Sequence, residues 1–303
     1  MKLGVVILHW EDDHTTGHCL DAVLIAADRA RESCSTFIKV IDNGSKEPLS
    51  LQTLSEHRQI EVSVIRNSDN LGFARGMNVG ISAALSEGAD AVWLLNNDTR
   101  PQPLSISALV AYHKRHPSLA CLGSTIAEGC GERITTVGGY RYQPWSSRAK
   151  PLGKGYAVNE ANHYTQTYDY VCGSAIFLTA ACLKSIKGLP DHNFFYFEEL
   201  YLAEILESHS LTSGVCADAI VIHHEGSAVS RLSVEQRHCY LTESALNYTK
   251  HRHKGCLPTV LLARLFRAWI VAARTADLAP LKGFVAGLKA FALEKKSHAK
   301  QIP

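Results

Sequence analysis

Residues Trp93–Thr99 read Trp-Leu-Leu-Asn-Asn-Asp-Thr, and this stretch indicates the fold of the chain. The apolar run that leads into it predicts a short buried strand, which ends abruptly in two amides and a carboxylate. Ligands of a parallel α/β sheet gather at the carboxyl ends of its strands, so polar chemistry is expected here. Asp98 is suited to a hard cation, and Asn96 and Asn97 to hydroxyl groups of a sugar or ribose.

Strand-like and helix-like segments alternate on both sides of this stretch. Their rhythm predicts a mostly parallel sheet covered by helices on both faces. The segment after the first strand reads His-Trp-Glu-Asp-Asp instead of Gly-x-Gly-x-x-Gly, which counts against a dinucleotide-binding fold. The predicted strands are Leu3–His9, Phe37–Asp42, Val62–Asn67, Ala91–Asn96, Ala120–Ile126, Tyr168–Thr179 and Thr212–His223. The predicted helices are Phe73–Glu87, Leu104–His116, the part of Phe194–Leu206 that begins around Glu198 and Glu199, Ser233–Arg252, Leu257–Arg274 and Leu281–Glu294. A hairpin with a mobile loop is expected over 129–162.

Composition is ordinary for a globular protein, with 303 residues, 46% hydrophobic and 20% charged. The length allows one large domain or one domain with an appendage. Nine cysteines without a Cys-x-x-Cys pair argue against a disulfide framework and a zinc module, and favour reduced thiols in the cytoplasm. The apolar run at Leu3–Leu8 is too short for a signal peptide. We also expect no segment that spans a membrane.

Five stretches stand out by their order and spacing: Val40–Ser45 (Val-Ile-Asp-Asn-Gly-Ser), Asn70–Asn78 (Asn-Leu-Gly-Phe-Ala-Arg-Gly-Met-Asn), Leu94–Thr99, Phe194–Glu199 (Phe-Phe-Tyr-Phe-Glu-Glu) and His224–Ser227 (His-Glu-Gly-Ser). Together they resemble the family 2 glycosyltransferases of the GT-A fold, particularly the rhamnosyltransferase-like branch that builds bacterial polysaccharides. The resemblance covers roughly residues 1–250. It implies an α/β catalytic domain over 1–255, of the nucleotide-diphospho-sugar transferase type. Residues 1–126 would be the nucleotide-sugar-binding half and 127–255 the acceptor and catalytic half, with a basic helical appendage at 256–303.

The resemblance places the nucleotide-sugar donor on the first half. Asp42 would accept the N3–H of a uracil or thymine; the alternative is that it caps its own turn. Gly72 and Gly76 would let the backbone approach a diphosphate at a helix N-terminus, with Arg75 either pairing with phosphate or solvated. The implied donor-site residues are His9, Asp42, Asn43, Asn70, Gly72, Arg75, Asn78, Asn96, Asn97 and Asp98.

A divalent cation, Mn²⁺ or Mg²⁺, is implied at Asp98, which resembles the last acid of the family's Asp-x-Asp motif. A single carboxylate binds such an ion weakly, so the diphosphate and a second protein ligand must complete its shell. His224 is expected to be that ligand by motif position. Adjacent His223 is the alternative, because only one of two neighbouring strand residues faces the site. Otherwise Asp98 would cap the helix after Pro101.

Glu198 and Glu199 carry the catalytic hypothesis. Inverting transfer needs one general base for the acceptor hydroxyl, and the second acid of the family motif corresponds to Glu199. Glu198 stays open as the base, since Glu199 is longer than the expected aspartate and Tyr201 replaces another acid. The alternative is a solvated acidic first turn. Loops within 129–163 are expected to shape the acceptor cleft, and the acceptor-side residues are Trp145, Gly173 and Asp191.

The resulting hypothesis is an inverting, metal-dependent glycosyltransferase that moves a sugar from a UDP- or dTDP-linked donor to a glycan or lipid-linked acceptor. Cell-surface or exopolysaccharide assembly is the expected setting. A nucleotidyltransferase would need a glycine- and lysine-rich triphosphate loop, which His9–His14 does not offer; a catalytically degenerate scaffold is a second alternative. We expect a cytoplasmic protein without a nucleic-acid partner. Its basic helices within 257–296 either rest on the inner face of the membrane or pack against protein.

Overall fold

A computed structural model describes residues 1–50, 60–165, 167–224 and 232–298, with side chains up to residue 293. Part of the fifth motif, Glu225-Gly226-Ser227, lies outside the described residues. The described strands are β1 Lys2–His9, β2 Ser35–Asp42, β3 Val62–Arg66, β4 Ala91–Asn96, β5 Thr99–Pro101, β6 Leu119–Glu128, β7 Arg133–Val137, β8 Gly139–Gln143, β9 Arg148–Pro151, β10 Tyr170–Val171, β11 Ala175–Thr179 and β12 Thr212–His223. The described α-helices are α1 Asp13–Ala30, α2 Phe73–Ser86, α3 Ser105–Arg115, α4 Ala180–Ile186, α5 Glu198–Ser208, α6 Val234–Arg252, α7 Leu257–Thr275 and α8 Ala279–His298.

The main sheet has the strand order β3-β2-β1-β4-β11-β6-β12-β5, and β7 pairs with β6. Strands β1 to β4 are parallel, whereas β11 runs antiparallel to both β4 and β6. Strand β12 is parallel to β6 and antiparallel to the short β5. A separate small sheet has the order β10-β8-β9. The sheet is therefore mixed, with a parallel majority on its first side, as expected for the GT-A fold.

Both faces of the main sheet are covered. Alternate residues of β1 point to opposite sides, as the pleat requires: Leu3, Val5 and Ile7 join one core with α1 and α3. Val6 joins a second core with α2, α4 and α5. Burial of these two apolar layers supplies the main driving force for this part of the fold. The predicted arrangement of helices on both faces is confirmed.

Two predicted segments differ from the structure. The predicted strand Tyr168–Thr179 is interrupted between β10 and β11, at Cys172-Gly173-Ser174. The hairpin and mobile loop expected over 129–162 contain β7, β8, β9 and the start of a 3₁₀ helix at Val158–Tyr164. Both differences come from tertiary contacts, because a sequence window does not show which neighbour interrupts or pairs a strand.

The chain forms two compact units. The first contains Met1–Arg141, Pro151–His192 and Glu198–Ala228; the second contains Tyr142–Lys150, Asn193–Phe197 and Val229–Pro303. Helix α6, which was predicted to belong to the catalytic half that ends at residue 255, is grouped with the C-terminal helices. Inside the second unit, α8 packs closely on α6. A Cβ atom on Gly283 would come within 2.2 Å of the Glu235 carbonyl oxygen, and one on Gly287 within 2.5 Å of that of Cys239.

Helix α7 bears on the expectation that no segment could span a membrane, which stays a prediction. Lys254–Thr275 is long and apolar enough to do so by length and composition, with a mean hydropathy of 1.6. Its Arg264 lies on the buried face with Val260, Ala268 and Ala272. The outer face carries large apolar side chains instead: Leu262, Leu265, Phe266 and Trp269.

Candidate functional site

The carboxyl ends of three strands meet at one edge of the main sheet. In the strand register, His9 at the end of β1 pairs with Asp42 of β2, and Leu8 pairs with Asn96 of β4. The first residue of β11, Ala175, pairs with Leu95, so the segment before β11 reaches the same edge. The polar ends of these strands therefore share one location, as the sequence predicts.

Asp98 meets a histidine at this edge, and that histidine is His223. Its Nε2 lies 3.1 Å from Asp98 Oδ1, and the Asp98 side chain is only 11% exposed. The pairing of Thr99 in β5 with His223 in β12 produces this contact. The side chain of His224 is exposed, while its backbone N–H donates to the Asp98 carbonyl at 2.9 Å. The geometry thus favours His223 over His224 as the partner of Asp98.

The same contact argues against Asp98 as the cap of the following helix. Helix α3 begins at Ser105, and its N-cap position is Leu104. In the part of the chain that the structure describes, no group of three or more His, Cys, Asp or Glu side chains is placed to hold a metal ion. A cation at Asp98 and His223 would need further ligands from elsewhere, which agrees with the predicted contribution of a diphosphate.

The Glu199 side chain contacts the segment between β10 and β11, at Gly173. A Cβ atom on Gly173 would lie 1.8 Å from Glu199 Oε1, so only a glycine leaves room for the carboxylate. The backbone N–H of Gly173 hydrogen-bonds to this carboxylate. Desolvation raises the pKa of Glu199, although hydrogen bonds from its own N–H and from Gly173 act in the opposite direction. The backbone N–H of Asn96 donates to the Ser174 carbonyl at 3.1 Å, which ties this carboxylate to the end of β4.

The surroundings of Glu199 include residues that the sequence does not single out. The Tyr140 hydroxyl lies 3.8 Å from Cys172 Sγ, which is 3.1 Å from Ser174 Oγ. Electrostatic interaction with Cys172 and burial raise the pKa of Tyr140, and the charge of Glu199 adds to this effect. Burial also raises the pKa of the Cys172 thiol. No local motif marks these residues, because strand pairing and the position of α5 bring them together.

The acidic pair follows a strained backbone segment. Tyr196 and Phe197 have φ angles of 72° and 76°, a region that non-glycine residues rarely adopt. The segment is anchored by Ser244 Oγ, which donates to the Phe195 carbonyl at 2.7 Å, and by Asn193 Nδ2, which donates to the Tyr196 carbonyl at 3.0 Å. Such strain costs about 1–3 kcal/mol per residue and clusters at functional sites. Glu198, the first residue of α5, is only 5% exposed.

Asp42 is buried and accepts hydrogen bonds from two backbone N–H groups, those of Ser45 at 3.0 Å and Leu49 at 3.3 Å. Arg66 Nε lies 3.7 Å from its Oδ2. Burial by itself would raise the pKa of Asp42, but the hydrogen bonds from Ser45 and Leu49 lower it below its ordinary value. The carboxylate therefore caps its own turn, as the alternative interpretation predicts, and base recognition by Asp42 stays a prediction.

Several predicted donor-site residues brace the turn that leads into α2. Asn43 Nδ2 donates to Asn70 Oδ1 and to the Gly72 carbonyl, at 3.0 and 3.1 Å. Its Oδ1 accepts from Asn67 and from the Leu71 N–H. Gly72 has a φ of 81°, which suits a glycine at the start of α2. Gly76 allows α2 to pack closely, since a Cβ there would lie 2.7 Å from Leu8, and its role beside a ligand stays a prediction.

Two side chains of α2 form hydrogen bonds to the segment that follows α4. Asn78 clamps the backbone of Leu189, donating to its carbonyl at 2.9 Å and accepting from its N–H at 2.7 Å. Arg75 Nε donates to Asp191 Oδ2 at 2.9 Å, and both side chains are exposed. Arg75 and Asp191, which were predicted to serve the donor and the acceptor respectively, thus contact each other. An exposed pair of this kind contributes little to stability.

A buried network lies beneath the strand ends. His9 Nδ1 is 2.7 Å from Thr16 Oγ1, which accepts from Asn97 Nδ2 at 3.0 Å. Burial lowers the pKa of His9, although the carboxylates of Asp42 and Asp13 oppose this effect. His9 and Asn97 are therefore placed to position the strand ends. Asn96 Oδ1 is buried and has no hydrogen-bond partner among the described residues.

Of the three residues predicted to serve the acceptor, two belong to the first unit and one to the second. Gly173 lies against Glu199, and Asp191 pairs with Arg75. Trp145 lies between β8 and β9, in the second unit, with 60% of its surface exposed.

Comparison with solved structures defines the class of fold. Staphylococcus aureus TarS 1–349 has a TM-score of 0.57 and 12% identity, over 96% of this chain and 80% of the other. The complex of TarS 1–349 with UDP-GlcNAc gives a TM-score of 0.58, with 13% identity over 96% of this chain and 80% of the other. GalNAc-T7 with UDP, GalNAc and Mn²⁺ gives a TM-score of 0.58, with 14% identity over 80% of this chain and 47% of that one. The fold is therefore that of the GT-A glycosyltransferases.

The sequence match is more specific. Residues 18–168, about half of the chain, match the family described as "Glycosyl transferase family 2". No curated protein matches the sequence. The chain spans 39% of the longer TarS chain, which it resembles with a TM-score of 0.52 and 12% identity over 82% of its own length.

Proposed function

We propose that this protein is an inverting glycosyltransferase that moves a sugar from a nucleoside diphosphate donor to a hydroxyl group of a glycan or lipid-linked acceptor. One observation carries the proposal. The Asp98–His223 pair and the desolvated Glu199 carboxylate are both connected to the carboxyl end of β4. Asp98 follows this strand directly, and Asn96 at its end hydrogen-bonds to Ser174, the neighbour of the Gly173 that contacts Glu199. This arrangement supports the proposal of a site for the leaving diphosphate and a general base at one edge of the sheet.

The residues at Asp98 fit a divalent cation, Mn²⁺ or Mg²⁺. Oδ1 of Asp98 and Nε2 of His223 are 3.1 Å apart. Adjacent ligands of a six-coordinate ion with bonds of about 2.1–2.2 Å have a separation of about 3 Å. When bound, the cation would offset the negative charge of the leaving diphosphate. UDP-bound and Mn²⁺-bound neighbours with the same fold support this choice.

Glu199 supplies the proton acceptor. The acceptor oxygen forms a bond to the anomeric carbon while the bond from that carbon to the diphosphate oxygen breaks, and the hydroxyl proton passes to the Glu199 carboxylate. A carboxylate whose pKa is raised by desolvation is a better base than an ordinary glutamate. The hydrogen bond from Gly173 orients it.

Glu199→Gln tests this role. The variant keeps the size and the hydrogen-bonding capacity of the side chain but cannot take up a proton. We expect nucleotide binding by calorimetry to be unchanged and transfer to fall by about 10²–10⁴-fold, the range for loss of a general base. Glu198→Gln is the control on the neighbouring acid. Transfer that survives in Glu199→Gln and is lost in Glu198→Gln would assign the base to Glu198 instead.

The proposed donor is a UDP- or dTDP-linked sugar, with dTDP-rhamnose as the donor suggested by the sequence motifs. The proposed setting is cell-surface or exopolysaccharide assembly on the cytoplasmic side of a membrane. Measuring donor hydrolysis across UDP-, dTDP- and GDP-sugars tests the nucleotide and the sugar together. Release of pyrophosphate from a nucleoside triphosphate would instead identify a nucleotidyltransferase. Failure of every nucleotide to bind with Mn²⁺ or Mg²⁺ would identify a non-catalytic scaffold.

We also propose that α7 rests on an anionic membrane surface. Leu262, Phe266 and Trp269 recur at helical spacing and are 64%, 61% and 56% exposed. Arg267 and Arg274 are exposed on the same helix, which suits anionic headgroups. An amphipathic helix with these features lies in the interface between headgroups and acyl chains. This face would hold the enzyme where lipid-linked acceptors lie.

Flotation on phosphatidylcholine vesicles with and without phosphatidylglycerol tests the membrane contact. Leu262→Ser combined with Phe266→Ser should abolish flotation on the anionic vesicles. Leu104→Ser, which alters a leucine in the first unit that is 66% exposed, should leave flotation unchanged. Equal flotation of all three proteins would overturn the contact. A concentration-dependent dimer that the double variant cannot form would show that a second copy covers this face.

A further inference from the structure

Arg264 is a buried charged side chain without a described counter-charge. It lies on the buried face of α7 and is 9% exposed. Within the described ranges it makes no hydrogen bond or ion pair, and its Nε is sealed from solvent without a partner. A buried guanidinium without a counter-charge is unfavourable, so natural proteins rarely retain one without a reason.

More positive charge surrounds this guanidinium. Burial lowers the pKa of Arg264 to about 10, the charge of Arg267 acts in the same direction, and only Tyr196 opposes it among the described groups. Burial likewise lowers the pKa of His238 on α6, as do the charges of Arg264, Arg267 and Arg237. In the described part of the chain no carboxylate acts on either group. The charges that act on Arg264 and His238 are therefore mainly positive, and no described carboxylate opposes them at these two groups.

We propose that Arg237, His238, Arg264 and Arg267 form a binding site for a phosphate group. The planar guanidinium presents paired N–H donors that match phosphate oxygens, and partial exclusion of water strengthens each charge-assisted hydrogen bond. His238 and the half-buried Arg237 supply donors from α6, and Arg264 and Arg267 supply donors from α7. None of these residues belongs to the set assigned to the donor sugar. The inference thus goes beyond the proposed transfer reaction.

The position of this cluster in the chain suggests a use for it. Tyr196, the group that opposes the effect of burial on Arg264, precedes Glu199 by three residues and belongs to the strained segment before α5. Ser244 of α6 anchors the same segment through the Phe195 carbonyl. A phosphate bound by α6 and α7 would therefore stabilise the helices that hold this segment. The phosphate belongs either to a soluble phosphorylated compound or to a lipid headgroup.

Calorimetric titration of inorganic phosphate into the full chain, in the presence of a chelator, tests the site. We expect the wild-type protein to bind phosphate and Arg264→Gln to bind at least about tenfold more weakly. Arg29→Gln changes an exposed arginine of α1, outside the proposed membrane contact, and should bind as the wild type does. Asp98→Asn should also bind normally, which separates this site from the proposed donor site. Equal phosphate affinity of wild type and Arg264→Gln would overturn the proposal.

Two further measurements complete the test. Arg237→Gln removes a half-buried member of the cluster from α6 and should weaken phosphate binding in the same way. Vesicles of phosphatidylcholine with and without phosphatidic acid then distinguish the sources. A greater loss of binding to phosphatidic acid vesicles for Arg264→Gln than for Arg29→Gln identifies a lipid headgroup. Equal vesicle binding with weakened phosphate binding identifies a soluble phosphate, and no effect in either measurement rejects the site.

Discussion

Gly173→Ala is the substitution that tests most directly how the fold positions the general base. The new Cβ atom would lie 1.8 Å from Glu199 Oε1, whereas ordinary van der Waals contact begins at 3.4 Å. The carboxylate must therefore withdraw by about 1.6 Å, the difference between these distances. The obstructing group is the end of a flexible side chain, so the side chain should move and the backbone should stay in place.

The expected consequence is a loss of catalysis without loss of folding. A misplacement of about 1 Å can cost about 10²-fold in rate, so we expect kcat to fall by at least about a hundredfold. That loss corresponds to an increase of about 2.7 kcal/mol in the activation barrier. Donor affinity should be unchanged, because Gly173 contacts the base and not the Asp98–His223 pair. Transferase assays at saturating donor, together with calorimetry of nucleotide binding, measure both quantities.

Gly17→Ala provides the matched control. Gly17 lies within α1, and no atom lies within 4 Å of the position that its Cβ would take. Replacing a helical glycine by alanine stabilises a helix by about 1 kcal/mol and should leave transfer unchanged. If Gly173→Ala retains wild-type kcat with normal folding, the carboxylate on Gly173 is not the base, and the reasoning fails.

Three other perturbations test separate features. His223→Ala should lose Mn²⁺-dependent nucleotide binding by calorimetry while His224→Ala keeps it; the opposite result would restore His224 as the ligand. Because desolvation raises the pKa of Glu199, kcat/KM should fall as the pH decreases, with a midpoint above 4.5. A pH–rate profile in which kcat/KM does not fall at acidic pH would contradict the role of Glu199 as the base. Arg264→Met should stabilise the protein at pH 7 by up to about 3 kcal/mol in urea unfolding, since a pKa lowered from 12.5 to about 10 disfavours the charged form in the folded state. This gain is full below pH 10 and disappears as the pH rises towards 12.5, and a destabilised variant would show that the guanidinium has a favourable partner.

The architecture of the first unit was largely predictable from local patterns. Strand β4 was predicted at Ala91–Asn96 and β12 at Thr212–His223, with the bounds that the structure has. Their apolar runs are decided by burial on both faces of the sheet, which sequence periodicity reports well. Helix α5 was predicted to begin around Glu198 and Glu199 and begins at Glu198, whereas its last residue, Ser208, lies beyond the predicted Leu206.

The site was less predictable than the fold. Motif position favoured His224, but the pairing of β5 with β12 brings His223 to Asp98. The motif also suggested that Asn43 and Asn78 bind the donor. Their amides instead form hydrogen bonds within the protein, to neighbouring loops. Polar side chains that contact a ligand and polar side chains that stabilise the surrounding loops both occur at strand ends and turns, so the sequence pattern does not distinguish them.

From the sequence alone follow the alternation of strands and helices, the polar edge after Leu95, and the candidate acids Asp98, Glu198 and Glu199. These depend on hydrophobic periodicity and on residue types that chemistry requires, both of which are local properties. Only the tertiary structure decides that His223 meets Asp98, that Glu199 lies on Gly173, and that Arg264 points inward. Each of these depends on contacts between segments distant in the chain, where pairing register and close packing determine which side chains meet.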